Sequence, residues 1–189
     1  LEDLEQKLQH LETTLADTRF WVKEFKELRL SLIEDSLTQL TVETNEVLFQ
    51  LGLRDWSIVF DTERMTKKGT VDKNFTVLVQ APKLKDSVPW KAWSGGESQR
   101  LRLAVEIGLS NLITSKLELQ PTVEFFDEPS SWLSESGIQD LLVTLVERAK
   151  KYRKVILLAD HRGLSFGRFS GTILVTKNQE GSSLHVTTV

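Results

Sequence analysis

Three short segments of this 189-residue chain carry residue types that can act on an anion. In Ser94-Gly95-Gly96-Glu97-Ser98-Gln99-Arg100 a glycine pair opens an apolar helical pattern. Glycines let the backbone approach an anion closely, and the N–H groups at a helix start favour negative charge. The Ser94 hydroxyl adds a donor. In Val123-Glu124-Phe125-Phe126-Asp127-Glu128-Pro129 an apolar run delivers two adjacent carboxylates to the C-terminal end of a strand. That is the edge at which open α/β sheets bind ligands. Neighbouring side chains on a strand point apart, so Asp127 and Glu128 take different tasks. One can hold magnesium, a hard cation that prefers oxygen ligands. The other can orient and deprotonate water, a contribution of roughly 10²–10⁴ in rate. The third segment, Asp160-His161-Arg162, follows the apolar run Val155–Ala159. A strand there, parallel to the carboxylate strand, brings His161 to the same edge, where it can bond a phosphate oxygen.

Each segment alone also fits a plain reading: a glycine turn capping a helix, a solvated acidic turn, a structural histidine. Their combination decides, and it depends on the elements that hold them. Trp56–Phe60 and Phe75–Gln80 read as strands flanking a polar, lysine-bearing turn around Gly69. A proline-bearing loop, Ala81–Trp93, leads to a helix from about Gly96 to Thr114. Val123–Phe126 and Val155–Ala159 read as buried strands, and the helix Ile138–Lys150 between them has Leu141, Leu142, Leu145 and Val146 on one face. Strand–helix–strand order implies a parallel pair. Thr172–Thr176 and Leu184–Thr188 make a hairpin across Asn178–Gly181.

Before all of this lies one long arm. Leu1, Leu4, Leu8, Leu11 and Leu15 recur at spacings of three and four, the seam of a coiled coil. Val22 and Phe25 continue it; after a phase slip Leu37, Leu40, Val47 and Leu51 resume it, with Thr44 in the remaining slot. No proline or glycine occurs before Gly52, a natural helix stop. About 50 helical residues reach roughly 75 Å and need a partner strand that the sequence does not supply. Phe20, Trp21 and Phe25 form an aromatic group on the arm, read either as coiled-coil packing or as a docking site. The division expected is therefore an arm, 1–51, and a head, 52–189.

Composition narrows the class. With 40% hydrophobic and 27% charged residues the chain is neither disordered nor collagen-like. Residues 1–50 carry 5 Lys/Arg against 11 Asp/Glu, a net of −6, and the rest a net of +3. No run approaches the roughly 20 apolar residues of a membrane span, and no charged-then-apolar stretch in the sequence suggests secretion. The absence of cysteine removes disulfides and thiolate metal sites and fits a reducing compartment. With Leu1 first and Met65 its only methionine, the chain reads as a piece of a longer protein.

The order Ser94-Gly95-Gly96-Glu97, then an apolar strand ending Asp127-Glu128-Pro129, then a strand ending at His161, resembles an ABC-type ATPase: its signature motif, Walker B strand and switch histidine. The heptad arm narrows the resemblance to the SMC-like branch, whose head is split by a coiled coil. Pro129 after the two acids is more similar to the SbcC-type DNA-repair ATPases, and Ser-Gly-Gly-Glu-Ser-Gln-Arg-Leu is also similar to phage-encoded relatives. The resemblance implies an α/β fold, the C-terminal half of an ABC-type head with a mixed sheet and flanking helices, preceded by a long coiled-coil helix.

It also implies roles. Ser94, Gly95 and Gly96, with Glu97 and Gln99 beside them, would meet ATP held on a second copy of the head; Arg100 is a lesser candidate. Asp127 would serve Mg2+, Glu128 the attacking water and His161 the γ-phosphate. The lysine-bearing loop G-x-x-x-x-G-K-[ST] is not in the chain, so an N-terminal half must supply it, and this fragment should not hydrolyse ATP alone. Implied partners are that half, a second head, an SbcD-type nuclease and double-stranded DNA, with no membrane, in the cytoplasm or nucleoid (the nucleus in a eukaryote). Lys67, Lys68, Lys73, Arg148, Lys150, Lys151, Arg153 and Lys154 are candidate DNA-phosphate contacts. Two departures from the family pattern are Ser134, where an aspartate is usual, and Asp160, where a serine is usual. The alternatives are an SMC-type DNA tether without a nuclease, and a transporter's nucleotide-binding subunit, against which the arm argues.

Overall fold

The computed structural model describes residues 2–62, 64–65, 71–72, 75–93, 95–164, 169–179 and 181–188. Leu1, Lys67, Lys68, Gly69, Lys73 and Ser94, singled out above, lie outside the described residues.

Helix α1 spans Glu2–Gln50. Uninterrupted by glycine or proline, it ends where Gly52 turns left-handed at φ 80°. There the Leu53 N–H reaches the Leu48 carbonyl at 3.0 Å and the Gly52 N–H reaches Phe49 at 3.2 Å. This pair of bonds closes a helix end and satisfies carbonyls that would otherwise lack donors. The helix has two regimes. Leu4, Leu8, Leu11 and Leu15 are exposed, whereas Leu40, Thr44, Val47 and Leu48 are buried. The stalk seam is thus uncovered by any described element, and the root of the same helix is part of the head's core.

Strand β1 (Ser57–Asp61) pairs antiparallel with β4 (Thr76–Gln80), Ser57 opposite Gln80 and Asp61 opposite Thr76. Between them β2 (Arg64–Met65) pairs with β3 (Val71–Asp72). Asn45 on α1 docks on β1 in both directions: its Oδ1 accepts the Ile58 N–H at 2.8 Å and its Nδ2 donates to the Ile58 carbonyl at 2.9 Å. This fixes the arm's root to the sheet as a strand neighbour would. The segment 81–93 is not the plain loop expected: β5 (Val88–Pro89) adds to β4, and Trp90–Ala92 forms a 3₁₀ turn. A proline is tolerated there because β5 is a sheet edge.

Helix α2 (Gly95–Lys116) crosses the root of α1 closely. A Cβ on Gly108 would lie 2.8 Å from Thr44 Oγ1. Strand β6 (Val123–Asp127) pairs in parallel with β7 (Val155–Ala159), and α3 (Glu135–Tyr152) connects them. Ser134 caps α3, its hydroxyl accepting the Gly137 N–H at 3.3 Å, the usual task of a serine at that position. Leu141, Leu142 and Leu145 join Leu48, Ile58, Val79, Leu101 and Ile107 in the core, with Val146 only half-buried. Strands β8 (Gly171–Asn178) and β9 (Gly181–Thr188) form an antiparallel hairpin longer than its two expected segments and exposed along its length.

Strands β6 and β7 depart from expectation in one respect. They alternate instead of being buried throughout: Phe126, Ile156 and Leu158 pack on the core, while Val123, Phe125, Val155 and Leu157 are exposed on the other face. Parallel sheets are ordinarily covered on both faces. Among the described residues nothing covers the second.

Candidate functional site

Parallel pairing sets Asp127 opposite Ala159, so the residues that follow each strand leave at one edge. The Glu128 N–H continues the ladder to the Ala159 carbonyl at 2.8 Å. Glu128 itself turns left-handed, at φ 45°, and leaves the line of the strand. Its Oε1 lies 3.4 Å from His161 Nδ1, both side chains exposed. The two acids therefore diverge through the backbone turn at Glu128 as well as through strand alternation. The edge presents a carboxylate, Asp127, and a carboxylate–imidazole pair, Glu128 and His161.

The loop after β6 is held under tension. Besides Glu128, Trp132 has a left-handed backbone, at φ 66°, and such non-glycine conformations cost of order 1–3 kcal/mol each. Contacts from the loop after β7 oppose that cost. Asp160 Oδ2 accepts the Ser130 N–H at 3.3 Å and its Oδ1 accepts the Arg162 N–H at 2.9 Å. Arg162 Nη1 donates to the Leu133 carbonyl at 3.0 Å. Ser130, fully buried, sits between the two strained residues.

The glycine turn at the start of α2 meets the other end of this loop. Gly95 has φ 69° with open space around its Cβ position, so the backbone conformation, not crowding, calls for glycine. A Cβ on Gly96 would lie 3.0 Å from the Trp132 carbonyl. Glu97 is exposed, and half-buried Gln99 points its amide at Pro129 of the same chain, 3.4 Å away. Arg100 is engaged within the chain. Its Nη1 donates to the Leu51 carbonyl at the end of α1 (3.1 Å), lies 3.6 Å from Asp140 Oδ2, and packs against Gly137. It ties the arm to α2 and α3.

A charged cluster that sequence reasoning missed lies at the opposite end of β6. Arg148 grips both oxygens of Glu124, Nε to Oε2 and Nη2 to Oε1, each at 2.6 Å, and Lys154 Nζ adds a contact at 2.8 Å. Arg148 Nη1 also bonds Asn111, whose amide reaches Glu43 on α1 at 2.9 Å. Burial pushes the Glu124 carboxyl up, but the Arg148 and Lys154 hydrogen bonds and charges outweigh it and hold its pKa below the ordinary 4.5. Arg148 and Lys154 are buried and committed to Glu124, so they are not available to DNA, contrary to the sequence-based expectation. The available signal was a lone charge, Glu124, inside an apolar strand run.

A groove of about 540 Å³ runs between α2 and β6, with Gln99, Arg102, Glu106, Asp127, Glu128 and Trp132 on its walls. Among the described residues no cluster of three metal-ligating side chains occurs. One exposed carboxylate suits magnesium, which keeps its waters and takes few protein ligands when phosphate oxygens complete its shell. No described helix is long and apolar enough to cross a membrane.

No protein-family model matches the chain. Among curated proteins it is 23% identical, over 163 residues, to the probable ABC transporter ATP-binding protein p29 of Mesomycoplasma hyorhinis, covering 85% of this chain and 60% of that protein. Among solved structures it is similar to the Smc head domain with an extended coiled coil from Pyrococcus furiosus, bound there to the C-terminal domain of ScpA. That match has a TM-score of 0.72 and 16% identity, covering 98% of this chain and 44% of that one. The Smc head with coiled coil and joint from Pyrococcus yayanosii gives 0.74 and 16%, covering 99% and 34%. The chain thus spans less than two thirds of the length of each. At these identities the likeness defines the fold: a mixed α/β half-head with its long helix, matching the C-terminal half of an SMC-type head and its coiled coil.

Proposed function

We propose that this chain is the C-terminal half of an SMC-like ABC-type ATPase head, whose nucleotide site is completed by an N-terminal half and by a second head. The observation that carries the reading is the edge where β6 and β7 end together, with Asp127, Glu128 and His161 on it and Glu128 3.4 Å from His161. Hydrolysis of a phosphoanhydride requires chiefly positioning and charge neutralisation. Glu128 orients the attacking water and accepts its proton. His161 turns Nδ1 toward Glu128, and its other ring nitrogen, Nε2, would meet the γ-phosphate. Asp127 would hold Mg2+, which when bound neutralises phosphate charge.

Two further observations support an incomplete head. The exposed face of Val123, Phe125, Val155 and Leu157 is the kind of sheet surface that a second half covers. The left-handed turn at Gly95 opens the start of α2 toward a ligand from outside, with Gly96, Glu97 and Gln99 on the first turn of the helix; Ser94, the preceding residue in the sequence, is assigned to the same role. ATP between two heads then acts as a clamp, since only contacts made in the closed state can shift the equilibrium toward it. The supporting test is Ser94→Arg in the full-length protein. ATP-dependent pairing of heads, followed by light scattering, should be lost; undiminished pairing would reject the role assigned to that turn.

Within this reading the chain belongs to an SbcC-type enzyme that binds double-stranded DNA and regulates a nuclease, a choice supported by Pro129 after the paired acids. A second reading, an SMC-type tether, is favoured by the fold's similarity to a head bound to ScpA. Co-purification of a metal-dependent nuclease with the full-length protein selects the first.

A further inference from the structure

We propose that Asp160 and Arg162 are positioning residues, which hold the strained loop after β6 so that Glu128 and the Gly95-Gly96 turn are set by one rigid segment. The proposal rests on the ATPase reading above for its kinetic consequence, and on geometry alone for the loop. Glu128 and Trp132 both have left-handed backbones, and such strain persists only where surrounding contacts over-determine it. Those contacts converge on residues 128–133 from β7 and its following loop. The Ala159 carbonyl accepts from the Glu128 N–H, Asp160 Oδ2 from the Ser130 N–H, and the Leu133 carbonyl from Arg162 Nη1. Asp160 Oδ1 in turn holds the Arg162 N–H at 2.9 Å, so one carboxylate fixes both loops.

The held segment joins the two halves of the candidate site. At one end it sets Glu128 beside His161. At the other the Trp132 carbonyl lies against Gly96, where even a methyl group would meet it at 3.0 Å. Between them the Pro129 carbonyl faces the Gln99 amide on α2. Loss of the Asp160 contact lets the loop relax toward ordinary dihedrals, moving the carboxylate and the glycine turn independently.

The test uses the full-length protein and the Asp160→Ala and Asp160→Asn variants, with amide hydrogen exchange and steady-state ATP turnover. Asp160→Ala should accelerate exchange at Ser130 by about tenfold or more. It should lower kcat by about 10- to 100-fold, as small misplacements do, with KM within about twofold. Asp160→Asn, which keeps one acceptor oxygen for two N–H groups, should fall between. Unchanged exchange at Ser130 in Asp160→Ala overturns the proposal, as does faster exchange with unaltered kcat. If the wild-type protein turns over no ATP, the ATPase reading fails separately, and the exchange result still decides whether Asp160 holds the loop.

Discussion

Arg148 meets Glu124 with two parallel hydrogen bonds of 2.6 Å inside the head, and the pair is linked through Asn111 to Glu43 on the arm helix. Four elements therefore share one charge network, buried at Arg148 and half-buried at Glu124, Asn111 and Glu43: α1, α2, β6 and α3. Removing one partner from such a pair leaves uncompensated charge and costs about 3–5 kcal/mol. Glu124→Ala in the full-length protein should lower urea-unfolding stability by that order. Because the Glu124 pKa is depressed on folding, its contribution is complete above the ordinary 4.5 and fades as pH falls below that value. Wild-type stability should drop with acid, and the Glu124→Ala variant should lose part of that slope; an identical slope would remove Glu124 from the account.

Three glycines separate backbone need from space. At Gly52 a Cβ would sit 2.5 Å from Asp140 Oδ2 with φ 80°, and at Gly108 it would meet Thr44 on the crossing helix. Gly95 has an equally strained φ but open surroundings. Gly108→Ala should cost about 1–3 kcal/mol by overpacking. Gly95→Ala should cost about 1–2 kcal/mol, the left-handed strain alone, while weakening ATP-dependent head pairing. Thermal unfolding beside a pairing assay separates the two. A large stability loss in Gly95→Ala would contradict the open site.

The exposed arm seam makes a different prediction. Leu8 and Leu11 are 58% and 64% exposed, so replacing both with Lys should leave the head's unfolding midpoint unaltered. Pairing of the arm with its partner helix should weaken, because apolar seam positions carry coiled-coil association. Cysteine cross-linking across the arm in the full-length protein reads this directly. A shifted head midpoint would show that the stalk contributes to the core.

Much of this was legible in the sequence because it is local. Gly52 ends the arm helix as a glycine at that position does, and Val155–Ala159 is a strand at its expected bounds, whereas α3 starts three residues before the expected Ile138, at Glu135 behind the Ser134 cap. The parallel pairing that brings His161 to Glu128 followed from strand–helix–strand order. The sequence was silent where function depends on partners far along the chain. Nothing in Arg100 or Arg148 distinguishes a guanidinium meant for phosphate from one meant for Leu51 or Glu124; burial makes that choice. The alternating exposure of β7 was missed because an unbroken apolar run reads the same whether one face or both are covered by the chain in hand.

In the proposed mechanism Glu128 activates water at an edge completed by other polypeptide. Its most direct test is single-turnover ATP hydrolysis by full-length protein carrying Glu128→Gln, which keeps size and hydrogen bonding but not the base. ATP binding and head pairing should be retained, with hydrolysis slowed by about 10²-fold or more. Hydrolysis at the wild-type rate, with binding intact, would contradict that role of Glu128.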